Sequence, residues 1–206
     1  MRTPAGIFLL CLMACTGGQK KSTDSSLEAA AFLNQLKNSD HQLLDVRTLE
    51  ELRAGFLPGS LHLDIKNPSF EKAISLLDSS KTYLVFCASG IRSGRAAEAM
   101  KARGLTVLTL RGGLGAGGIT TTPELSLPEG LSRAPEATDS QPGVFVFTLS
   151  NGDRFADIQC LTRIDDLCQR FEVKFSGSPA SDSTFFNLIE AQNYVVSQYA
   201  SNPILP

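Results

Sequence analysis

From residue 27 to residue 110, short apolar runs alternate with segments of helical spacing. Leu27, Ala30, Ala31, Leu33 and Leu36 share one helical face, which Ser25 or Ser26 can cap. Leu43-Leu44-Asp45-Val46 reads as a buried strand. Thr48-Leu49-Glu50-Glu51 is a capping box, in which the Thr48 hydroxyl and the Glu51 carboxylate satisfy each other's orphan amides. The helix it opens is short, because Gly55 and Pro58-Gly59 follow. Leu61-His62-Leu63 is a second short strand, and Phe70, Ala73, Ile74 and Leu77 mark a helix over 69–77. Thr82 to Phe86 is the clearest buried strand and runs straight into Cys87. Ser93 to Arg103 is Ala-rich and helical, with Gly104 where a C′ glycine belongs, and Leu105 to Leu110 is a further strand. Strands that alternate with helices predict an α/β unit over residues 25–115, with a central parallel sheet and helices on both faces.

Residues 112–143 are rich in Gly, Pro, Thr and Ser without a sustained period, and read as a linker. Beyond them the pattern predicts a smaller α+β module of order ββαβα. Val144 to Leu149 is a strand, Asn151-Gly152 a tight hairpin turn, and Arg154 to Ile158 the returning strand. Leu161, Ile164, Leu167, Cys168 and Phe171 fall on one helical face. Val173 to Phe175 is a short strand, and Phe185, Ile189, Gln192, Val196 and Tyr199 follow helical spacing in a last helix. The expected divisions are 27–118, 119–142 and 143–206, behind a separate N-terminal segment.

A chain of 206 residues holds one domain or two small ones, and its net charge of −2 argues against a nucleic-acid binder with a basic surface. Two histidines, His41 and His62, give a metal site or a Ser-His-Asp triad little to draw on, so no metal and no cofactor is expected. Chemistry then falls to the five cysteines, Cys11, Cys15, Cys87, Cys160 and Cys168.

The first of these belong to an address. Arg2 is followed by an apolar stretch from Ile7 to Ala14, shorter than the roughly 20 residues that span a bilayer. Leu12-Met13-Ala14-Cys15, followed by a polar Gly/Ser/Lys tract, resembles the lipobox of bacterial lipoproteins. The resemblance implies removal of residues 1–14, lipidation of Cys15, and loss of Cys11. Several acyl chains would anchor the protein stably, with residues 15–26 as a lipidated tether. The implied location is the cell envelope, lipid-anchored outside the cytoplasm on the periplasmic face. The outer membrane is open if the source has two, since Thr16 follows Cys15 rather than Asp. An ordinary cleaved signal peptide is the alternative.

The informative segment is Cys87-Ala88-Ser89-Gly90-Ile91-Arg92-Ser93-Gly94-Arg95. A buried strand ends, a tight loop follows and a helix starts, which is where α/β folds place ligands. The loop's amides and the helix N-terminus make an anion site, and Arg92 and Arg95 add positive potential. A thiolate inside such a ring is favoured, so Cys87 becomes nucleophilic near neutral pH.

Cys87-x-x-Gly90-x-Arg92 after a buried strand resembles the active-site loop of the rhodanese-like sulfurtransferases. Leu43-Leu44-Asp45-Val46-Arg47, Glu50-Glu51-Leu52, Gly55 to Leu63, and Leu110-Arg111-Gly112-Gly113-Leu114 are similar to that family's other blocks, in order, across roughly residues 25–118. Two positions depart from the pattern: Phe56 stands where the family often has His, and Leu114 to Gly118 lacks an aromatic. The resemblance implies a rhodanese-like central parallel sheet. It makes Cys87 the catalytic residue, carrying sulfane sulfur as a persulfide, and Ala88, Ser89, Gly90, Ile91, Arg92 and Ser93 the substrate-binding loop. The donor is thiosulfate or a persulfide, and the acceptor a thiol or a cyanide-like nucleophile. Arg92 falls five positions after Cys87; the related phosphatases use one more residue, so the shorter loop points to sulfur rather than phosphate.

Other readings stay open beside this one. Cys87 is alternatively a buried structural thiol in a scaffold that binds partners or senses persulfides without turnover. Asp45 and Arg47 follow a strand end and either face the site or pair to fix loops; with Arg95 they are taken as supporting residues. His41 and His62 read as surface or strand-edge residues. Cys160 and Cys168 on one helix would lie about 12 Å apart, too far to bridge. Were Cys160 to precede the helix, a disulfide is open; alternatively one of them resolves Cys87 or takes its sulfur. The module at 143–206 is free to take a protein partner.

Overall fold

Alternation along two short strands splits the N-terminal unit into two cores. Leu44, Tyr83 and Val85 point to one face of the sheet, and Leu43, Leu84 and Phe86 to the other. The computed structural model describes residues 25–133, 144–149, 153–164, 167–176 and 183–201. The segment expected to be a signal peptide, with Cys11 and Cys15, and the turn expected at Asn151-Gly152 lie outside those residues.

The first unit runs β1 (Ser26–Leu27), α1 (Ala29–Gln35), β2 (His41–Asp45), α2 (Leu49–Ala54), β3 (Leu61–His62), α3 (Phe70–Ser75), β4 (Thr82–Phe86), α4 (Ile91–Lys101), β5 (Thr106–Leu110) and α5 (Gly113–Gly117). Its five strands form a parallel sheet in the order β1-β5-β4-β2-β3. Side chains of α3 and α4 (Phe70, Ile74, Ala96, Met100) fill one core, and Phe32 of α1 fills the other. The expected α/β sheet is therefore present, with β4 in the middle.

Local signals explain the ends of these elements. The Thr48/Glu51 capping box is formed in full. Gly104, at φ 81°, closes α4 while Gly104 N donates to Lys101 O and Leu105 N to Met100 O, a Schellman arrangement. Ser25 and Ser26 do not cap α1, whose N-cap is Glu28. They extend the sheet instead: Ser26 aligns with Thr109, and Ser25 O accepts from Thr109 N. A free sheet edge at β5 outcompetes the cap.

The second unit is an antiparallel sheet with one helix: β6 (Leu131–Arg133), β7 (Val144–Leu149), β8 (Arg154–Ile164), β9 (Leu167–Phe175), β10 (Ser183–Phe185) and α6 (Leu188–Ser201), in strand order β10-β9-β8-β7-β6. The helix expected over Leu161 to Phe171 is a correction: those residues belong to β8 and β9, which pair from Ala156–Phe175 to Ile164–Leu167. The spacing of Leu161 and Phe171 fits a helix, but burial follows period two. Ala156, Ile158, Phe171 and Val173 are buried while Leu161 is exposed. The order ββαβα is thus not observed. Phe185 ends β10 rather than entering the last helix, and β6 falls within the stretch read as linker.

Facing strands also settle the cysteines. Cys160 and Cys168 form a disulfide with Cα atoms 5.8 Å apart, a separation one helix could not provide. The flanking Thr162, Gln169 and Arg170 share a cleft of about 180 Å³ with Gln42 and Tyr83, near the starts of β2 and β4. Cys87 follows the far end of β4, so the bridge is remote from it.

The two units pack together. Ile189 of α6 is buried against Leu52 and Phe56. Phe56 and Thr122 exchange backbone hydrogen bonds, Glu124 N donates to Arg53 O, and Asn193 of α6 holds Leu125 N and Pro123 O. Asn187 donates to Ser60 O, and the Glu190 carboxylate accepts from Gly59 N at 3.1 Å. Burial pushes the Glu190 carboxyl up, opposed by that amide.

Candidate active site

Because β4 lies between β2 and β5, its last residue delivers Cys87 to the centre of the sheet's C-terminal edge. The side chain is fully buried, and it is the one free thiol among the described residues. Gly90 turns the chain back at φ 86°, in the left-handed region glycine tolerates. The curl brings Gly90 N to 3.2 Å and Ser93 N to 3.4 Å from Cys87 Sγ, both donating. The thiol donates to Ser93 Oγ at 3.6 Å, and that hydroxyl donates to Gly90 O at 3.1 Å. Burial pushes the thiol up. The Ser93 amide and hydroxyl and the Ser89 and Gly90 amides outweigh it, leaving Cys87 below its ordinary value.

The start of the loop is held from behind. Leu114 N donates to Cys87 O and Gly115 N to Ala88 O, each at 2.9 Å. These carbonyls share peptide planes with the Ala88 and Ser89 amides, so α5 fixes the start of the curl, ahead of the Gly90 and Ser93 amides that reach sulfur. The fit is tight: a Cβ on Gly113, itself at φ +64°, would lie 2.5 Å from Cys87 O and from Ala88 C.

Arg92 has a specific partner. Its Nη1 and Nη2 donate to the two oxygens of Glu51, each at 2.6 Å. Glu51 also accepts from Thr48 N and Thr48 Oγ in the capping box. The Arg92 hydrogen bonds, assisted by those from Thr48, hold the Glu51 carboxyl down to about 2 against its burial. One carboxylate thus ties the N-terminus of α2 to the cysteine loop.

The remaining expected residues divide. Asp45 and Arg47 form a buried ion pair at 2.6 Å, and Arg47 Nη2 also donates to Gly55 O at 2.7 Å. Arg47 stacks 5.7 Å over the ring of Phe86, next to Cys87. These two residues fix loops. His62 Nε2 bonds the Arg47 carbonyl at 2.8 Å, and His41 Nδ1 bonds the Gln35 carbonyl at 2.9 Å. Arg95 is exposed, Ser89 is exposed, and Ile91 stands 71 % exposed at the rim. Of the loop amides from 88 to 93, those of Gly90 and Ser93 are within hydrogen-bond distance of sulfur. Sequence reasoning missed two contributors. The sequence places Glu51 in a helix cap and in the Glu50-Glu51-Leu52 block without revealing its hold on Arg92, and places Ser93 in the loop through its amide without its hydroxyl. Among the described residues no three His, Cys, Asp or Glu side chains converge as a metal site.

A parallel α/β domain with an amide-ringed cysteine at its sheet edge is the class that fold and site define. Residues 28–117 match the family model of the rhodanese-like domain, and this part of the chain is a rhodanese-like domain. The chain is 29 % identical over 88 residues to the Bacillus subtilis (strain 168) protein named "Putative sulfurtransferase YtwF", covering 42 % of this chain and 84 % of that one. Among solved structures it is similar to a rhodanese-related protein from Thermoplasma volcanium: 31 % identity, 43 % of this chain and 85 % of the other, TM-score 0.40. A Rhodopseudomonas palustris CGA009 protein, described as a "Possible Tyrosine Phosphatase", is also similar: 31 % identity, 47 % and 83 % coverage, TM-score 0.38.

Proposed function

We propose that this protein is a sulfurtransferase, anchored to a membrane through lipid on Cys15, that moves sulfane sulfur through a persulfide on Cys87. The observation that carries the reading is the pair of backbone N–H groups donating to Cys87 Sγ in a buried, concave loop. Such a setting favours a thiolate at neutral pH and accepts the negative charge of a persulfide equally well.

The chemistry proceeds in two displacements. The Cys87 thiolate attacks the outer sulfur of thiosulfate, the S–S bond of the donor breaks, and sulfite leaves with its electron pair. A persulfide donor reacts the same way and releases its thiolate. Cys87 then carries one extra sulfur with the negative charge on the terminal atom. An acceptor thiolate or cyanide attacks that atom, and Cys87 leaves as thiolate. Ser93 suits both states: its hydroxyl accepts from the neutral thiol and can rotate to donate once sulfur is charged. Arg92, bound by Glu51, holds the loop. The five-position spacing from Cys87 to Arg92 supports sulfur over phosphate. Lipidation at Cys15 is tested by a globomycin-sensitive mobility shift that Cys15→Ala abolishes.

The deciding assay is thiocyanate formation from thiosulfate and cyanide, with an aryl phosphate tested in parallel. Wild type should turn over thiosulfate and Cys87→Ser should not. Hydrolysis of the aryl phosphate without sulfur transfer would overturn the reading.

A further inference from the structure

The C-terminal module has no part in the displacements above, yet it touches the element that holds the cysteine loop. On one side of α2, Glu51 clamps Arg92 with two hydrogen bonds of 2.6 Å. On the other side, Leu52 and Phe56 are buried against Ile189 of α6, which is itself fully buried. α2 has six residues, too few to persist alone in water, so its position depends on what it packs against. The departure at residue 56 belongs to this contact: Phe56 is 2 % exposed beneath α6.

A second route runs through residues 119–125. This segment leaves α5, which holds the Cys87 and Ala88 carbonyls, and passes along α2. There Thr122 pairs with Phe56 and Glu124 with Arg53, while Asn193 of α6 brackets Leu125 and Pro123 from outside. α6 therefore closes over both supports of the loop.

We infer that the C-terminal module is a brace for the active site, and that Ile189 is a positioning residue acting through Leu52 and Glu51 on the Arg92 end of the cysteine loop. The inference rests on Cys87 being the reactive thiol. Loosening α6 leaves Cys87 in place but lets the Gly90 and Ser93 amides drift from sulfur, so the thiolate loses donors and the thiol titrates higher.

The test is the pH dependence of iodoacetamide alkylation on the full chain, read on the Cys87 peptide by mass spectrometry, in folded variants. Ile189→Ala should raise the Cys87 titration midpoint by about one unit, a loss of about tenfold in thiolate at a pH below both midpoints. In a Glu51→Gln background, where the clamp on Arg92 is already changed, Ile189→Ala should cause no further rise. Val195→Ala, on the same helix but packed in the module's own core, should leave it unmoved. Ile189→Val, milder to folding, should shift it in the same direction by less. An unmoved midpoint in both folded Ile189 variants, or an equal shift in Val195→Ala, overturns the brace while leaving Cys87 chemistry intact. A wild-type Cys87 that titrates as an ordinary thiol overturns the sulfurtransferase reading, and the brace with it.

Discussion

Arg92 and Glu51 meet through two parallel hydrogen bonds of 2.6 Å, joining the first turn of α4 to the capping box of α2. The arrangement fixes a sign for acid sensitivity. The Glu51 carboxyl lies at about 2 in the folded protein against an ordinary 4.5. A depressed carboxyl stabilises the fold fully above its unfolded value and loses that contribution as pH falls through the folded value. Wild type should therefore unfold at higher temperature than Glu51→Gln near neutral pH, with the gap shrinking below about pH 4.5 and closing near pH 2. Thermal unfolding across that range checks it, and parallel curves would contradict it.

Gly113 and Gly104 both have positive φ but different surroundings. A Cβ at Gly113 meets the Cys87 and Ala88 backbone at 2.5 Å, whereas one at Gly104 meets nothing within 4 Å. Gly104→Ala should cost about 1–2 kcal/mol, the left-handed penalty alone. Gly113→Ala adds displacement of the cysteine loop and should cost at least about 1 kcal/mol more, with sulfur transfer lost. Urea denaturation and the thiocyanate assay read the two effects separately.

Ser93→Ala removes a hydroxyl but keeps the amide that donates to Cys87 Sγ at 3.4 Å. Losing one hydrogen bond to a charged sulfur is worth about 1.5 kcal/mol, so Cys87 should titrate about one unit higher. At a pH below both midpoints sulfur transfer should slow about tenfold. Pre-steady-state sulfite release measures this, and a wild-type rate would show that the hydroxyl is only packing.

The Cys160–Cys168 bridge closes a separation of eight residues in the β8–β9 hairpin. On loop entropy its removal should cost about 2.5 kcal/mol. Because it lies beside the cleft with Gln42 and Tyr83, at the other end of β4 from Cys87, the folded double serine variant should transfer sulfur at the wild-type rate. A lower urea midpoint with unchanged turnover is the expected pair of results. Lost turnover in the folded variant would point to a direct link between the bridge and Cys87.

These contrasts show what a linear pattern can carry. The parallel sheet was legible because strands covered on both faces, such as Leu43-Leu44 and Leu84-Val85-Phe86, leave continuous apolar runs. Cys87 was legible because strand, Gly90 and helix start follow within a few residues. The second role of Glu51 was hidden, since its partner lies 41 positions away and the capping box already accounts for the residue. The β8–β9 hairpin was hidden because Leu161, Ile164, Leu167 and Phe171 fit a helical spacing. Only the facing strand, which brings Cys168 within 5.8 Å of Cys160, selects period two. Likewise the glycines after Arg111 announce a turn, but not that Gly113 lies flush against Cys87 O.

As a sulfurtransferase, the protein would carry a second sulfur atom on the amide-ringed sulfur of Cys87. The most direct test is the mass of the Cys87 peptide after the full-length protein meets thiosulfate or glutathione persulfide. The expected result is a gain of one sulfur on that peptide, removed by cyanide and absent in Cys87→Ser. A folded wild-type protein whose Cys87 peptide stays unchanged with both donors would contradict it.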